Sequence, residues 1–218
     1  MIFNSKKVFI FDLDGTLVNA YRAIEKSLNF TLRRFGYSPV GYREVKRKVG
    51  RGDRIFIQTF FPKKDVDDAL GVYRSHHKEA VLKYVRCMPY SRKLLSFLKS
   101  KGKFVAIASN RPRYYTDLIL EKLKLKKYID YVLCADEIDT LKPEPKILND
   151  ILNKFNFKKK DGIFFGDMWI DAETAKRARI DFVFVEGGSN SLIDIEKSRY
   201  NKIVVSNLKE IIQMIRRS

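Results

Sequence analysis

The chain has 218 residues, 45% of them apolar, which suits a buried core and excludes wholesale disorder. It carries 44 Lys and Arg against 26 Asp and Glu, a formal net charge of +18. Only two cysteines occur, Cys87 and Cys134, which excludes a disulfide framework or a cysteine-rich zinc site and fits a reducing cytoplasm.

Along the chain, Val8-Phe9-Ile10-Phe11 is a run of β-formers ending in Asp12-Leu13-Asp14-Gly15-Thr16, the pattern of a buried strand that leaves the core at a turn. Ala20 to Phe35 places apolar residues at helical spacing and stops at Gly36. Residues 41 to 85 read as basic, mostly helical segments broken at Gly50-Arg51-Gly52 and Phe61-Pro62, with no buried strand. From Met88-Pro89 onward strands and helices alternate. The pattern predicts a helix over Ser91–Ser100, a strand over Phe104–Ala108, a helix over Pro112–Leu123 and a strand over Tyr131–Cys134. Next come a helix over Pro145–Phe155, a strand over Gly162–Phe165, a helix over Ile170–Ala178 and a strand over Phe182–Val185. A weak strand at Ile203–Val205 and a helix at Leu208–Ile215 follow.

Such alternation predicts an α/β fold, a Rossmann-like parallel sheet covered by helices on both faces. The first strand belongs with the later ones. Residues 1–17 and 86–218 are therefore expected to form the α/β core, and 18–85 a helical insertion. No apolar run approaches about 18 residues, so no membrane span is expected. The apolar start is broken at once by Asp12 and Asp14, without the small-residue cleavage site of a secretory signal, and the expected location is the cytoplasm.

In an open parallel sheet, ligands bind beyond the carboxyl ends of the strands. The first strand delivers Asp12 and Asp14 there, the strand at Phe104 delivers Ser109-Asn110-Arg111, and the strand at Gly162 delivers Gly166-Asp167 with Asp171 four residues on. Lys142 precedes a rigid Pro-Glu-Pro helix start. Unpaired buried carboxylates are costly, so a cation must compensate them or solvent must reach them. Hard oxygen ligands suit Mg2+, which is often shared with a substrate phosphate, and a carboxylate is a recognised covalent nucleophile for phosphoryl groups.

Competing motifs fail. A calcium-binding loop starting at Asp12 would need Gly and Glu where Leu17 and Ala23 stand. There is no GxxxxGK[ST] phosphate loop, and Gly50-Arg51-Gly52 lacks the third glycine of a dinucleotide fingerprint. His76 and His77 are adjacent within the helical insertion, where neighbours face different directions, and are not read as ligands.

The four segments Asp12-x-Asp14-Gly15-Thr16-Leu17, Ser109-Asn110, Lys142 in Lys-Pro-x-Pro, and Gly166-Asp167-x-x-x-Asp171 together resemble the haloacid dehalogenase superfamily, in its phosphatase branch. The resemblance implies a HAD-like core with a helical cap. It implies Asp12 as nucleophile forming an aspartyl-phosphate, and Asp14 as the acid that protonates the leaving oxygen and later takes a proton from water. It further implies Mg2+ held by Asp12, the main-chain carbonyl of Asp14 and Asp167, with Asp171 in support. Thr16, Ser109, Asn110 and Lys142 would serve the phosphoryl group. Val49-Gly50-Arg51-Gly52 resembles the cap loop of phosphoglycolate phosphatase-like members, in which Arg51 would meet a substrate anion. Arg179 stands where the family usually has Gly.

The expected activity is Mg2+-dependent hydrolysis of a small, phosphoglycolate-like phosphate monoester. A phosphosugar mutase and an inorganic pyrophosphatase share the same aspartates and stay open as alternatives. The +18 charge also suits a nucleic-acid- or partner-binding protein on the same fold. Against that, the basic residues are dispersed (Lys46-Arg47-Lys48, Lys122 to Lys127, Lys158 to Lys160, Arg216-Arg217) and a helical cap would hinder a polymer. A monomer or homodimer is expected.

Overall fold

The computed structural model describes residues 3–190 and 203–217. Six strands, β1 (Val8–Phe11), β4 (Phe104–Ser109), β5 (Tyr131–Cys134), β6 (Gly162–Gly166), β7 (Asp181–Val185) and β8 (Ile203–Val205), form one sheet. Their order is β5-β4-β1-β6-β7-β8 and every pairing is parallel. The α/β architecture read from the alternation of elements is thus the one observed.

Sheet residues alternate between two apolar layers, as the twofold strand repeat requires. Phe9 and Phe11 join one layer with Val105, Ile107 and Phe165, packed against α5 (Ser91–Ser100), α6 (Arg113–Lys122) and the last helix, Leu208–Arg216. Val8 and Ile10 join the other layer, under α7 (Lys146–Lys154) and α8 (Trp169–Ala178). Both faces are covered, so β1 is apolar throughout, and each of its four buried side chains contributes roughly 1.5–3 kcal/mol.

Between β1 and α5 lie α1 (Tyr21–Arg34), α2 (Tyr42–Lys48), α3 (Asp53–Gln58) and α4 (Val66–Tyr84). α1 packs along α4 through residues at helical spacing, Ile24, Leu28 and Leu32 on one and Tyr73, Ala80 and Val81 on the other. Where this segment leaves and rejoins the sheet, β2 (Val18–Asn19) pairs antiparallel with β3 (Arg86–Cys87). Two-residue strands are too short to show a period-2 pattern, so this pair is not visible in the sequence.

Register places the site. Phe11 pairs with Ile107 on one side and Phe165 on the other. The residues that follow these three therefore emerge side by side at the carboxyl edge, and the Asp12 N–H donates to the Phe165 carbonyl at 2.8 Å. Among the described residues no helix is long and apolar enough to cross a membrane.

Candidate active site

At the carboxyl edge of β1, β4 and β6 a pocket opens, floored by Asp12, Ser109 and Lys142 and roofed by Ile24, Phe56 and His77 of the helical segment. Lys142 is almost wholly buried and donates to Asp12 Oδ1 at 2.5 Å and Asp171 Oδ1 at 2.7 Å. Burial disfavours its charge, but the two carboxylates outweigh that effect and hold the ammonium above its ordinary range. Asn110 fixes the lysine's main chain, its Oδ1 accepting from Lys142 N–H at 2.8 Å while its Nδ2 donates to Lys142 C=O at 3.1 Å and Gly50 C=O at 2.8 Å.

Asp12, Asp167 and Asp171 are all buried, and one oxygen of each lies within 4.8 Å of the others. Among the described residues a single ammonium, touching two of the three, leaves this cluster short of positive charge. Burial pushes the Asp12 carboxyl well above its usual range, with Asp171 and Asp167 adding to the effect and Lys142 opposing it. Asp167 is pushed up to about 7, first by burial and then by Asp171. It accepts from Thr16 Oγ1 at 3.2 Å, Tyr21 OH at 3.0 Å and the Ser189 N–H at 2.6 Å. Glycines make room for it. A Cβ on Gly188 would stand 2.0 Å from Asp167 Oδ2, and one on Gly15, whose φ is +92°, would stand 2.4 Å from it. Buried, clustered, electron-rich oxygens in such a cradle fit a small hard cation such as Mg2+.

Asp14 has different surroundings. Its Oδ2 accepts from Arg111 Nε at 2.7 Å, while its Oδ1 is buried with no hydrogen-bond partner among the described residues. Arg111 in turn donates through Nη1 to His77 Nε2 at 2.8 Å. His77, on α4, is only 1% exposed, and burial, then Arg111 and His76, hold its pKa well below the ordinary value. The sequence reading set His77 aside, yet it lines the pocket. Both histidines reach Ser27 Oγ on α1, His77 at 2.9 Å and His76 at 3.3 Å, because that hydroxyl projects between them.

The structure brings Asp12, Asp14, Ser109, Asn110, Lys142 and Asp171 to the pocket wall. Asp167 and Thr16 lie just beneath, bonded to each other. Arg51 is not brought in. It is exposed, with its guanidinium over the Trp169 ring at 5.6 Å, while Gly50 and Gly52 on either side line the pocket. Positive φ at both glycines, +111° and +81°, turns the loop this way, and a Cβ on Gly50 would stand 2.5 Å from the Met168 methyl. Arg111 and Tyr73 are pocket residues that received no role from the sequence. Arg111 had a signal, its place directly after Ser109-Asn110, and Tyr73 had none beyond helical spacing.

Fold and pocket together define a protein with a buried carboxylate and lysine site at the carboxyl edge of a parallel α/β sheet. Residues 9–185 match the model of the family described as haloacid dehalogenase-like hydrolase. The phosphoglycolate phosphatase of Aquifex aeolicus is 30% identical over 172 residues, 79% of this chain and 81% of that protein. The phosphoglycolate phosphatase of Agrobacterium fabrum is 28% identical over 86% of this chain and 83% of its own length. A crystal structure of a predicted phosphoglycolate phosphatase from Haemophilus somnus 129pt superposes with a TM-score of 0.90 at 22% identity, covering 98% of this chain and 99% of that one; this likeness shows the fold. The chain belongs to the haloacid dehalogenase-like hydrolases and is a phosphatase of the phosphoglycolate phosphatase-like branch.

Proposed function

We propose that this phosphatase is Mg2+-dependent and cleaves a small, phosphoglycolate-like monoester through an aspartyl-phosphate on Asp12. One observation carries the reading: two aspartates two residues apart are held for different work, Asp12 by Lys142 and Asp14 by Arg111. The names of the relatives support the substrate class. In this reading residues 1–17 and 86–218 are the catalytic core and 18–85 the cap, and the enzyme works in the cytoplasm.

An Asp12 oxygen attacks phosphorus as the bond to the leaving oxygen breaks. Asp14 gives that oxygen a proton through its unpartnered Oδ1, releasing the alcohol. Water then attacks phosphorus, Asp14 takes the water proton, and the bond to Asp12 breaks, freeing phosphate. Lys142 and the Ser109 hydroxyl face the phosphoryl oxygens, and Lys142 offsets the charge that would otherwise repel the incoming phosphate. Asp12, the Asp14 main-chain carbonyl and Asp167 would hold Mg2+, with Asp171 steadied by Lys142 and the Met168 N–H. When bound, the ion neutralises charge on the transferring group.

Phosphate release from an aryl phosphate, with and without Mg2+, is the test. Release is expected only with Mg2+, and Asp12→Asn is expected to lower it at least about a thousandfold. An Asp12→Asn variant as active as the wild type sinks the mechanism.

A further inference from the structure

Arg111 has a role in holding Asp14, but that role uses little of it. A guanidinium carries five N–H donors. One, on Nε, goes to Asp14 and one, on Nη1, to His77; Nη2 has no hydrogen-bond partner among the described residues. Nor has the hydroxyl of Tyr73, whose ring stacks on His77 at 4.9 Å and lines the same pocket.

The histidine holds the guanidinium without cancelling its charge. Ser27 Oγ donates to the Ala23 carbonyl at 3.0 Å, so it accepts from His77 Nδ1. The imidazole proton therefore sits on Nδ1, and Nε2 is the lone pair that Arg111 needs as acceptor. Asp53 also lines the pocket, but Arg74 engages both its carboxylate oxygens, at 2.7 and 3.1 Å. Apart from Lys142, Arg111 is the one cation among the described lining residues.

Asp14 meets the leaving oxygen and Arg111 is bonded to Asp14. In the phosphate ester of a short 2-hydroxy acid, the carboxyl carbon stands two bonds from that same oxygen. Its carboxylate thus falls within reach of the unused face of Arg111, where a planar fork suits it.

We propose that Arg111 is a specificity-determining residue that binds a carboxylate on the leaving group, so that the enzyme favours phosphate monoesters of short 2-hydroxy acids over those of neutral alcohols. The inference rests on the phosphatase mechanism proposed above. A residue that only positioned Asp14 would affect both kinds of ester alike, whereas a specificity residue changes their ratio.

The test compares kcat/KM for 2-phosphoglycolate and for 2-hydroxyethyl phosphate, its neutral analogue, with Mg2+. Wild type is expected to favour the carboxylate ester about a hundredfold, the scale of a charge-assisted pair. Arg111→Gln is expected to slow both esters and to bring the ratio within a few-fold of one. Arg111→Lys keeps the charge without the fork, and is expected to lower the ratio at least about fivefold. Circular dichroism checks that each variant is folded. A wild-type ratio near one overturns the proposal and leaves the phosphatase reading standing, as does a ratio unchanged in either folded variant. If wild type cleaves neither ester, the proposed reaction fails, and calorimetric binding to Asp12→Asn protein still decides the recognition. There, at least about tenfold tighter binding of 2-phosphoglycolate, lost on adding Arg111→Gln, supports it, and equal affinities overturn it.

Discussion

Asp167→Asn in metal-free protein isolates the electrostatic cost of the carboxylate cluster. The Asp167 carboxyl is fully buried and is pushed from 3.8 to about 7, by burial first and Asp171 second. A carboxyl whose folded pKa is raised destabilises the fold once it ionises. The folded protein keeps its proton to higher pH than the unfolded chain, so stability is lost as pH rises from about 4 through about 7. About three pH units at about 1.4 kcal/mol each give a cost of roughly 4 kcal/mol. Asparagine escapes this cost and keeps the partners, its Oδ1 accepting from the Ser189 N–H and Tyr21 OH that now bond Oδ2 while its N–H₂ donates to Thr16 Oγ1.

In chelator at about pH 8, Asp167→Asn is therefore expected to be more stable than wild type by roughly 4 kcal/mol, and at about pH 4 about equally stable. Urea unfolding across that pH range measures both. Saturating Mg2+ is expected to narrow that gap at pH 8, because the ion stabilises the charged carboxylate by about 2.7 kcal/mol at a hundred times its dissociation constant. A difference that stays flat with pH, or an Asn variant less stable than wild type in chelator at pH 8, refutes the reasoning.

His77 gives a pH dependence of the opposite sign: its folded pKa lies below the ordinary 6.5, so its contribution is present above that value and is lost as pH falls. Wild type is expected to lose stability below pH 6.5 from this group, with a slope approaching about 1.4 kcal/mol per pH unit about one unit lower, and His77→Gln to lack that component in urea unfolding. Gly188→Ala would put a methyl carbon on the Asp167 carboxylate, and is expected to abolish both the Mg2+-dependent rise in Tm and phosphate release. Arg179 ends α8 with φ +58°, a left-handed conformation that costs a side chain about 1 kcal/mol. Arg179→Gly is expected to raise unfolding stability by about 0.5–1 kcal/mol and leave kcat/KM unchanged.

The strands were legible because burial on both sheet faces demands uninterrupted apolar runs, and Asp12, Ser109 and Asp167 were legible because each follows such a run directly. Lys142 announced itself by its prolines. What stayed hidden depends on helices that meet the sheet only in three dimensions. His77 lies on α4, and its partners Ser27 and Arg111 are 50 and 34 residues away in sequence. No local pattern encodes that meeting. Arg51 shows the same limit: the likeness of its loop to a cap loop implied an anion contact, while positive φ at its two glycine neighbours accompanies its place outside the pocket, over the Trp169 ring. Arg179 showed the reverse case, since α8 ends in the left-handed conformation the family's glycine would favour even with a long side chain there.

The two aspartates of Asp12-Leu13-Asp14 differ in where their counter-charges come from. Lys142, partner of Asp12, belongs to the sheet's own loops, and its second carboxylate, Asp171, sits on α8 beneath the same edge. Arg111, partner of Asp14, leaves the sheet at β4 but is gripped from above by His77, which Ser27 of α1 orients. The counter-charge of Asp12 thus comes from within the sheet layer, and that of Asp14 is shared with the helical segment. A displacement of α1 and α4 from the sheet breaks the His77–Arg111 contact and leaves Lys142–Asp12 intact. In the mechanism proposed above, proton delivery to the leaving oxygen is thereby tied to the arrangement in which the helices roof the pocket.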